Sequence, residues 1–250
     1  MTSKKLIQKI EELSMNALPA IQTNIFDGWI LRFSNGYTKR ANSINPLYAS
    51  SEELHKKIKY AEKIYQNQNL RVVYKLTERV FPKELDITLE HKGYRQDGLT
   101  SVQVLSLKDV DVEINEYATV YEYLHDDWFN SFCQLNHVDE KDKQTLKQML
   151  GNIIHKTGYF YLSNDSGEIL ACGMCVLERE YIGLFDIVTS EDYRNRGYGT
   201  TLIKTILRWG KKNGAKFSYL QVVSDNVPAL KLYSKLGFKE IYKYWYRLKD

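Results

Sequence analysis

The chain has 250 residues, 43% of them hydrophobic and 26% charged, which is typical of a globular protein with one large or two modest domains. The net charge of +4 is mild, and lysine and arginine are scattered among acids, which argues against a nucleic-acid-binding protein. No apolar stretch approaches the length of a membrane span or follows the first lysines, so we predict neither a membrane anchor nor a secretion signal.

The three cysteines are too few for a disulfide framework, which favours a reducing cytoplasm as the compartment. Cys172 and Cys175 have the Cys-x-x-Cys spacing, but a zinc site needs further ligands. Both also fall in a predicted strand, residues 169–177, where residues three apart face opposite sides of a sheet. We therefore predict two buried thiols and no metal site.

The first hundred residues alternate between helical and strand patterns. Glu53 lies three residues after Ser50, which predicts a capping box at the start of the second helix. A polar segment, residues 38–43, fits either an anion site or a solvated loop beside a sheet. The predicted elements are helices over residues 4–18, 50–65 and 82–89, the last stopped at Gly93, strands over residues 28–33, 71–76 and 100–107, and a turn at 34–37.

The charge-rich, glycine-free segment 108–114 is the predicted boundary between an N-terminal α/β domain, residues 1–110, and a C-terminal domain, residues 111–250. Beyond it the patterns predict two helices, a hairpin and another strand. These are helices over residues 121–135 and 138–154, strands 159–162 and 169–177 around a turn at 164–167, and a strand over 181–189.

A short loop separates the strand that ends at Thr189 from a helix whose apolar spacing starts at Thr200. Gly197 and Gly199 lack a Cβ, so backbone N–H groups can close on a ligand, and the helix N-terminus adds roughly half a positive charge. Its arginines supply forked donors that match phosphate geometry. The loop, Arg194-Asn195-Arg196-Gly197-Tyr198-Gly199, therefore predicts a pyrophosphate site, although a strand-to-helix turn with solvated arginines has the same pattern.

A second motif follows the predicted strand over residues 217–223. A polar residue among positions 224–226 can cap the next helix, Pro228 fits its first turn, and Gly237 ends it. The motif reads Asn226-Val-Pro-Ala-Leu-Lys-Leu-Tyr233-Ser-Lys-Leu-Gly237-Phe238.

Together the two motifs resemble the signature of the GNAT N-acetyltransferase superfamily, which is Arg-x-x-Gly-x-Gly after a strand and then Asn-x-x-Ala-x-x-Leu-Tyr-x-Lys-x-Gly-Phe. The resemblance covers residues 115–250 and implies an α/β fold with a mixed, mostly antiparallel central sheet flanked by helices. The order of strand, helix, strand, helix, glycine and strand also occurs in the first hundred residues. The smaller N-terminal α/β domain is therefore predicted to be a degenerate copy without the glycine loop, and a core of unrelated topology is the alternative.

The resemblance implies acetyl-CoA as the cofactor and suggests which residues hold it. The pantetheine arm would pair with the backbone of Val188 and Thr189, and Asn226 would contact it. Tyr233 would direct its hydroxyl at the sulfur, although it could also be one more core tyrosine among 19. The pyrophosphate would rest on the amides of Arg194, Asn195, Arg196, Gly197, Tyr198, Gly199 and Thr200.

The general base is the least defined part of the implied mechanism. An alkyl amine with a pKa near 10.4 must lose a proton before it attacks, which costs about 4–5 kcal/mol at pH 7. Asp186 lies on the right strand and is the candidate base, but alternation relative to Thr189 faces it away from the acceptor. Glu178 and Glu180 flank the preceding hairpin. Gly183 stands near the position where some relatives keep a glutamate.

The sequence thus predicts a cytoplasmic, acetyl-CoA-dependent N-acetyltransferase in which a primary amine of a small molecule or protein attacks directly. Asp126 and Asp127 beside Trp128 could bind a cationic acceptor or form a solvated acidic face. The alternative is a non-catalytic acyl-CoA-binding regulatory module. A general phosphate-binding domain is a third reading, which the second motif disfavours. The acceptor, the acyl preference and the formation of a homodimer stay open.

Overall fold

The computed structural model describes residues 4–110 and 118–249, which form seven α-helices and eleven β-strands. These residues fall into two compact units. The first lies within Met1–Val102, Val222–Val227 and Glu240–Asp250, and the second within Gln103–Gln221 and Pro228–Lys239. Within the described ranges, no helix is both long enough and apolar enough to cross a membrane.

The first unit contains the N-terminal elements and the last strand of the chain. They are α1 (Lys4–Ala17), β1 (Gln22–Phe26), β2 (Trp29–Phe33), β3 (Ile44–Pro46), α2 (Leu54–Asn67), β4 (Val73–Thr77), α3 (Leu85–His91) and β11 (Lys239–Leu248). Strands β1, β2 and β3 form an antiparallel meander, and β3 runs parallel to β4 at the pair Ile44–Tyr74. Strand β11 runs antiparallel to β4 and places Tyr246 opposite Lys75.

The second unit repeats this plan. Its elements are β6 (Ala118–Tyr121), α4 (Asp126–Leu135), α5 (Glu140–Gly151), β7 (Lys156–Ser163), β8 (Ile169–Glu178), β9 (Tyr181–Thr189), α6 (Tyr198–Lys212) and most of β10 (Phe217–Val223) and α7 (Val227–Lys235). Strands β6 to β9 form an antiparallel meander, and β9 runs parallel to β10. The predicted α/β class with a mixed, mostly antiparallel sheet is confirmed.

The two units share the element order that the predicted repeat requires. In each, a meander is followed by a helix, a strand parallel to the last meander strand, and a short helix that leads to a glycine with positive φ, Gly93 at 84° and Gly237 at 90°. The next strand of the chain, β5 (Arg95–Ser106), is divided between the units. Residues 95–102 belong to the first unit, and residues 103–106 belong to the second, where β5 neighbours β10. Strand β4 pairs with β11.

The compact units therefore differ from the predicted division at residue 110, because the first also contains residues 222–227 and 240–250. The predicted division into domains 1–110 and 111–250 itself stays a prediction. Residues 111–114 of the predicted boundary segment, 108–114, lie outside the described residues. In its described part, the Lys108 carbonyl accepts a hydrogen bond from Lys211 Nζ at 3.2 Å.

The cap of α2 differs from the predicted capping box. Glu53 itself is the N-cap, and its carboxylate accepts hydrogen bonds from the backbone amides of His55 at 2.7 Å and Lys56 at 3.1 Å. Ser50 instead donates its hydroxyl to the Asp27 carboxylate at 2.9 Å. The box was predicted from spacing alone, and the helix begins four residues later because Asp27 holds the preceding loop.

The polar segment 38–43 is not the solvated loop that the sequence favoured. A short 3₁₀ turn, Lys39–Ala41, leads into buried Asn42 and Ser43. The Asn42 side chain accepts hydrogen bonds from the amides of Ser34 at 2.7 Å and Gly36 at 2.9 Å. The Asn42 side chain therefore satisfies the amides of the preceding turn, and buried Asn42 and Ser43 form no exposed anion site.

Four strands were not predicted, namely β1, β3, β6 and β11, and two of them, β1 and β6, are edge strands. The segment Gln22–Phe26 has four exposed residues of five and carries no apolar alternation, yet it pairs as β1. Residues 118–121 form β6, so the helix predicted over 121–135 begins only at Asp126. Whether an edge strand forms depends on pairing with its neighbouring strand more than on the pattern of its own side chains.

A buried ionic network ties α1 to the strands of the first unit. Glu11 and Lys75 are 2% and 6% exposed, and their charged atoms are 2.6 Å apart. The Tyr242 hydroxyl donates to the other Glu11 oxygen at 2.6 Å, and the Lys75 ammonium lies 4.0 Å from the Tyr244 ring centroid. Strand β11 therefore depends on a carboxylate near the N-terminus.

Replacing Glu11 should destabilise the protein because Lys75 would stay buried without its counter-charge. We expect Glu11→Gln to lower the free energy of unfolding by about 3–5 kcal/mol in a urea titration. Glu12→Gln, on the same helix but partly exposed, should cost less than about 1 kcal/mol. The double variant Glu11→Gln/Lys75→Met should regain stability relative to Glu11→Gln, and equal losses in all three would contradict this role.

Candidate functional site

The parallel strands β9 and β10 pair over only part of their length. Their register runs from Tyr181 opposite Phe217 to Leu184 opposite Leu220 and ends there. Strand β9 continues to Thr189 and stays paired on its other side, with Thr189 opposite Ala171 of β8. The part of β9 beyond Leu184, which contains the predicted pantetheine-pairing residues Val188 and Thr189, is therefore open on its β10 side.

A β-bulge lies in this open part of β9. Phe185 is opposite Met174 and Val188 is opposite Cys172, so Asp186 and Ile187 together face one residue of β8. Asp186 has a φ of 53°, which is uncommon for a residue other than glycine. The simple alternation that the sequence analysis applied to Asp186 does not hold, because a bulge inserts one residue and re-aims its side chain.

The surroundings of Asp186 are buried. Burial, with the Asp186 charge as the next cause, raises the pKa of the Tyr159 phenol and of the Cys172 thiol. At Gly183, an added Cβ would lie 2.5 Å from the Phe185 ring and 2.6 Å from Tyr219. This chain therefore has no room for a glutamate at position 183, which leaves Asp186 as the carboxylate on this stretch of β9.

The predicted pyrophosphate loop offers a run of backbone donors. The amides of Asn195 through Thr200 donate to no residue that the structure describes, and the first helical bond is Thr201 N–H to the Gly197 carbonyl at 3.0 Å. Gly197 is the N-cap of α6, and no side chain caps this helix. Six amides without a described acceptor thus lie at the positive end of the helix dipole, the arrangement that binds anions.

The two loop positions, 197 and 199, require glycine for different physical reasons. Gly197 has a φ of 88° and open space around its Cβ position, so it supplies the backbone conformation. Asn195 shares the left-handed region at 62°. A Cβ on Gly199 would lie 3.2 Å from Thr189 Oγ1 and 3.6 Å from Leu232 Cδ2, so Gly199 instead lets α6 approach β9 and α7.

The two arginines of the loop are exposed, and the side chain of each makes one contact that the structure describes. Arg194 pairs with Glu191 at 3.1 Å, and its side chain is 56% exposed. The Arg196 guanidinium lies 5.2 Å from the ring centroid of Tyr193, whose hydroxyl donates to Glu168 at 2.5 Å. Sequence reasoning missed Tyr193 and Glu168 as loop supports because they belong to no motif and lie 25 residues apart.

Tyr233 lies on α7 in a buried position. Its side chain is 8% exposed, its ring packs edge-on against Phe238, and burial raises the pKa of its phenol to about 12. Among the described residues, none forms a hydrogen bond with its hydroxyl. The hydroxyl oxygen is not fully buried, although most of the side chain is, so it can accept a hydrogen bond from a ligand atom or donate one to it. Asn226 is exposed and directly precedes α7, and its N–H donates to the Val223 carbonyl at 3.0 Å.

The corresponding helix of the first unit is closed to anions. The Glu53 carboxylate occupies the N-terminus of α2, where its pKa is lowered first by the hydrogen bond from the His55 amide. A bound carboxylate satisfies the same donors that a phosphate would use. The start of α2 therefore does not offer the run of free amides that is found at the start of α6.

The other candidate groups of the sequence analysis make contacts that are structural. Cys172 and Cys175 are fully buried free thiols, as predicted, and no cluster that could hold a metal occurs among the described residues. Trp128 is fully buried and donates to the Phe160 carbonyl at 3.1 Å, so it forms no exposed cation site. Asp126 is exposed and pairs with Lys147 at 2.7 Å, as expected of a solvated acidic face.

Comparison with known proteins agrees with this architecture. A family model described as "Probable histone acetyltransferase Rv0428c C-terminal" matches residues 2–247. "Uncharacterized N-acetyltransferase YobR" of Bacillus subtilis is 29% identical over 248 residues, which cover 97% of this chain and 98% of that protein.

Solved structures share the fold at low identity. A GCN5-related N-acetyltransferase from Kribbella flavida has a TM-score of 0.70 at 12% identity, over 97% of this chain and 95% of that chain. A tandem GNAT protein from the clavulanic acid biosynthesis pathway has a TM-score of 0.68 at 12% identity, over 96% and 87% of the two chains. This protein therefore belongs to the Rv0428c C-terminal family and is a member of the GNAT N-acetyltransferases.

Proposed function

We propose that this protein transfers an acetyl group from acetyl-CoA to a primary amine of a small molecule or a protein by direct attack. The observation that carries the proposal is the run of six partnerless amides at the N-terminus of α6, beside the open edge of β9. Acetyl-CoA supplies the activated thioester, so no cysteine nucleophile is required. Membership of the GNAT N-acetyltransferases supports both the cofactor and the reaction type.

The loop and β9 have the groups that the cofactor needs. A hydrogen bond to a charged group contributes about 1.5–3 kcal/mol, so a few loop amides with Arg194 or Arg196 suffice for micromolar affinity. The backbone of Val188 and Thr189 on the open edge can pair with an amide-containing arm. Asn226 is proposed as a further contact to that arm.

Two side chains are proposed for the chemical step. The ammonium form of the substrate would first give one proton to a base, and the freed amine nitrogen would bond to the thioester carbon. The carbon–sulfur bond would break with its electron pair on sulfur, and the second proton lost from nitrogen would neutralise the thiolate. Tyr233 would donate its hydroxyl to the sulfur, because a phenol with a pKa near 12 stays protonated at neutral pH. Asp186 would take the amine proton, directly or through water, because it is the carboxylate of the bulged segment.

A charge placed in the loop should abolish cofactor binding. We expect Gly197→Glu to weaken acetyl-CoA binding about 100-fold in a calorimetric titration, because its carboxylate would stand where the pyrophosphate is held. Gly214→Glu is the matched control. It follows the other end of α6, has a φ of 96° against 88° for Gly197, and both sites have open space. Equal weakening in both variants, or no binding to the parent protein, would overturn the proposed site.

Removing the Tyr233 hydroxyl should affect catalysis and spare binding. We expect Tyr233→Phe to lower kcat about 10- to 100-fold while KM for acetyl-CoA changes less than about twofold. Tyr74→Phe, which removes a buried hydroxyl in the first unit that lacks a described partner, should leave kcat unchanged. Acetyl-CoA binding without turnover on any amine, and a Tyr233→Phe variant identical to the parent, would favour a non-catalytic acyl-CoA-binding module.

A base at position 186 predicts a particular pH dependence. We expect Asp186→Asn to lower kcat/KM about 100-fold at pH 7 and by much less near pH 10, where about 30% of an amine with a pKa near 10.4 is already deprotonated without help. Asp165→Asn, in the exposed hairpin turn, should follow the parent profile. A loss that is constant with pH would assign Asp186 a structural role. Because the pKa of Tyr233 is near 12, its ionisation should not lower the rate below pH 10.

A further inference from the structure

The second unit contains a cavity that the proposed reaction does not use. Its volume is about 500 Å³, and it is open to solvent between α6, the end of α7 and the end of β5. Apolar side chains line its wall, among them Leu105, Leu207 and Leu236. Lys204 on α6 follows Gly197 by seven residues, so the cavity begins about 10 Å along the helix from the pyrophosphate loop.

The rim of the cavity is positively charged. Lys204, Lys235 and Lys239 line it together with a single acid, Asp109, which leaves two positive charges uncompensated. None of the three ammonium groups has an ion pair or hydrogen bond with a described residue. Three unpaired lysines around an apolar wall form a concave, cationic surface.

The wall opposite α6 is fixed by hydrogen bonds. The Leu107 amide donates to the Lys216 carbonyl at 2.8 Å, and Lys211 Nζ donates to the Val110 carbonyl at 3.0 Å. Both bonds hold the segment that carries Asp109 against the unit. The shape of the cavity is therefore built into the fold and does not depend on exposed side chains alone.

We propose that this cavity binds an amphipathic anion, that is, a phosphate or carboxylate attached to an apolar ring or short chain. The leucines would cover the apolar part, and Lys204 and Lys235 would hold the anionic group. The ligand we infer is a separate small-molecule anion of this chemistry and not a part of the coenzyme. The inference does not rest on the proposed function.

The test uses 8-anilinonaphthalene-1-sulfonate, an apolar ring system with an anionic group, as a fluorescent probe. We expect Lys204→Glu/Lys235→Glu to weaken probe binding at least about tenfold, because two charge-assisted contacts are reversed. Lys212→Glu/Lys231→Glu makes the same charge change on the same two helices outside the cavity and should bind like the parent. Thermal denaturation checks that both variants stay folded.

Competition with the coenzyme then tests whether the ligand is separate from it. The probe should bind with saturating CoA present, and Lys204→Glu/Lys235→Glu should leave CoA binding unchanged in a calorimetric titration. The proposal is overturned if CoA displaces the probe, or if the two lysine substitutions do not change probe affinity relative to the control variant.

Discussion

The candidate site depends on hydrogen-bonding capacity that the backbone leaves unused at one place in the second unit. Strands β9 and β10 separate after Leu184 and Leu220, and α6 starts with amides that no described residue accepts. Exposed donors of this kind are tolerated because water satisfies them in the free protein. The cofactor of the proposed function has a pyrophosphate and an amide-containing arm, which could replace this water with fixed acceptors.

Close packing of α6 holds these amides in position. Gly210, inside the helix, leaves space for Ile182, since an added Cβ would lie 2.5 Å from its Cδ1. Gly199 makes the corresponding approach to Thr189. A glycine inside a helix costs about 1 kcal/mol relative to alanine. Burial of the apolar face offsets that cost and fixes the helix against the sheet through Leu202, Ile203, Ile206 and Leu207.

The two units share one plan but differ in the amides that their helices leave free. Each has a helix after its meander, but α2 begins with Glu53, whose own carboxylate accepts the first amides, while α6 begins with Gly197 and leaves them free. The first unit is instead built around buried charges, such as Lys57 beside Asp27 and Arg247 beside Asp86. These pairs suit a scaffold, because a buried charge tolerates little movement of its partner.

The sequence by itself determined the elements whose signal is local. The periods of α1, β9 and β10, the glycine loop at 194–199 and the motif from Asn226 to Phe238 follow from side-chain spacing and from residues that fix φ, so they could be predicted together with the family resemblance. Only the tertiary structure decided that β11 completes the first unit, that a bulge re-aims Asp186, that Gly199 is needed for packing, and that Glu53 closes α2. Each of these depends on a partner distant in sequence, and strand pairing, register and packing contacts are set by such partners rather than by the pattern of one segment.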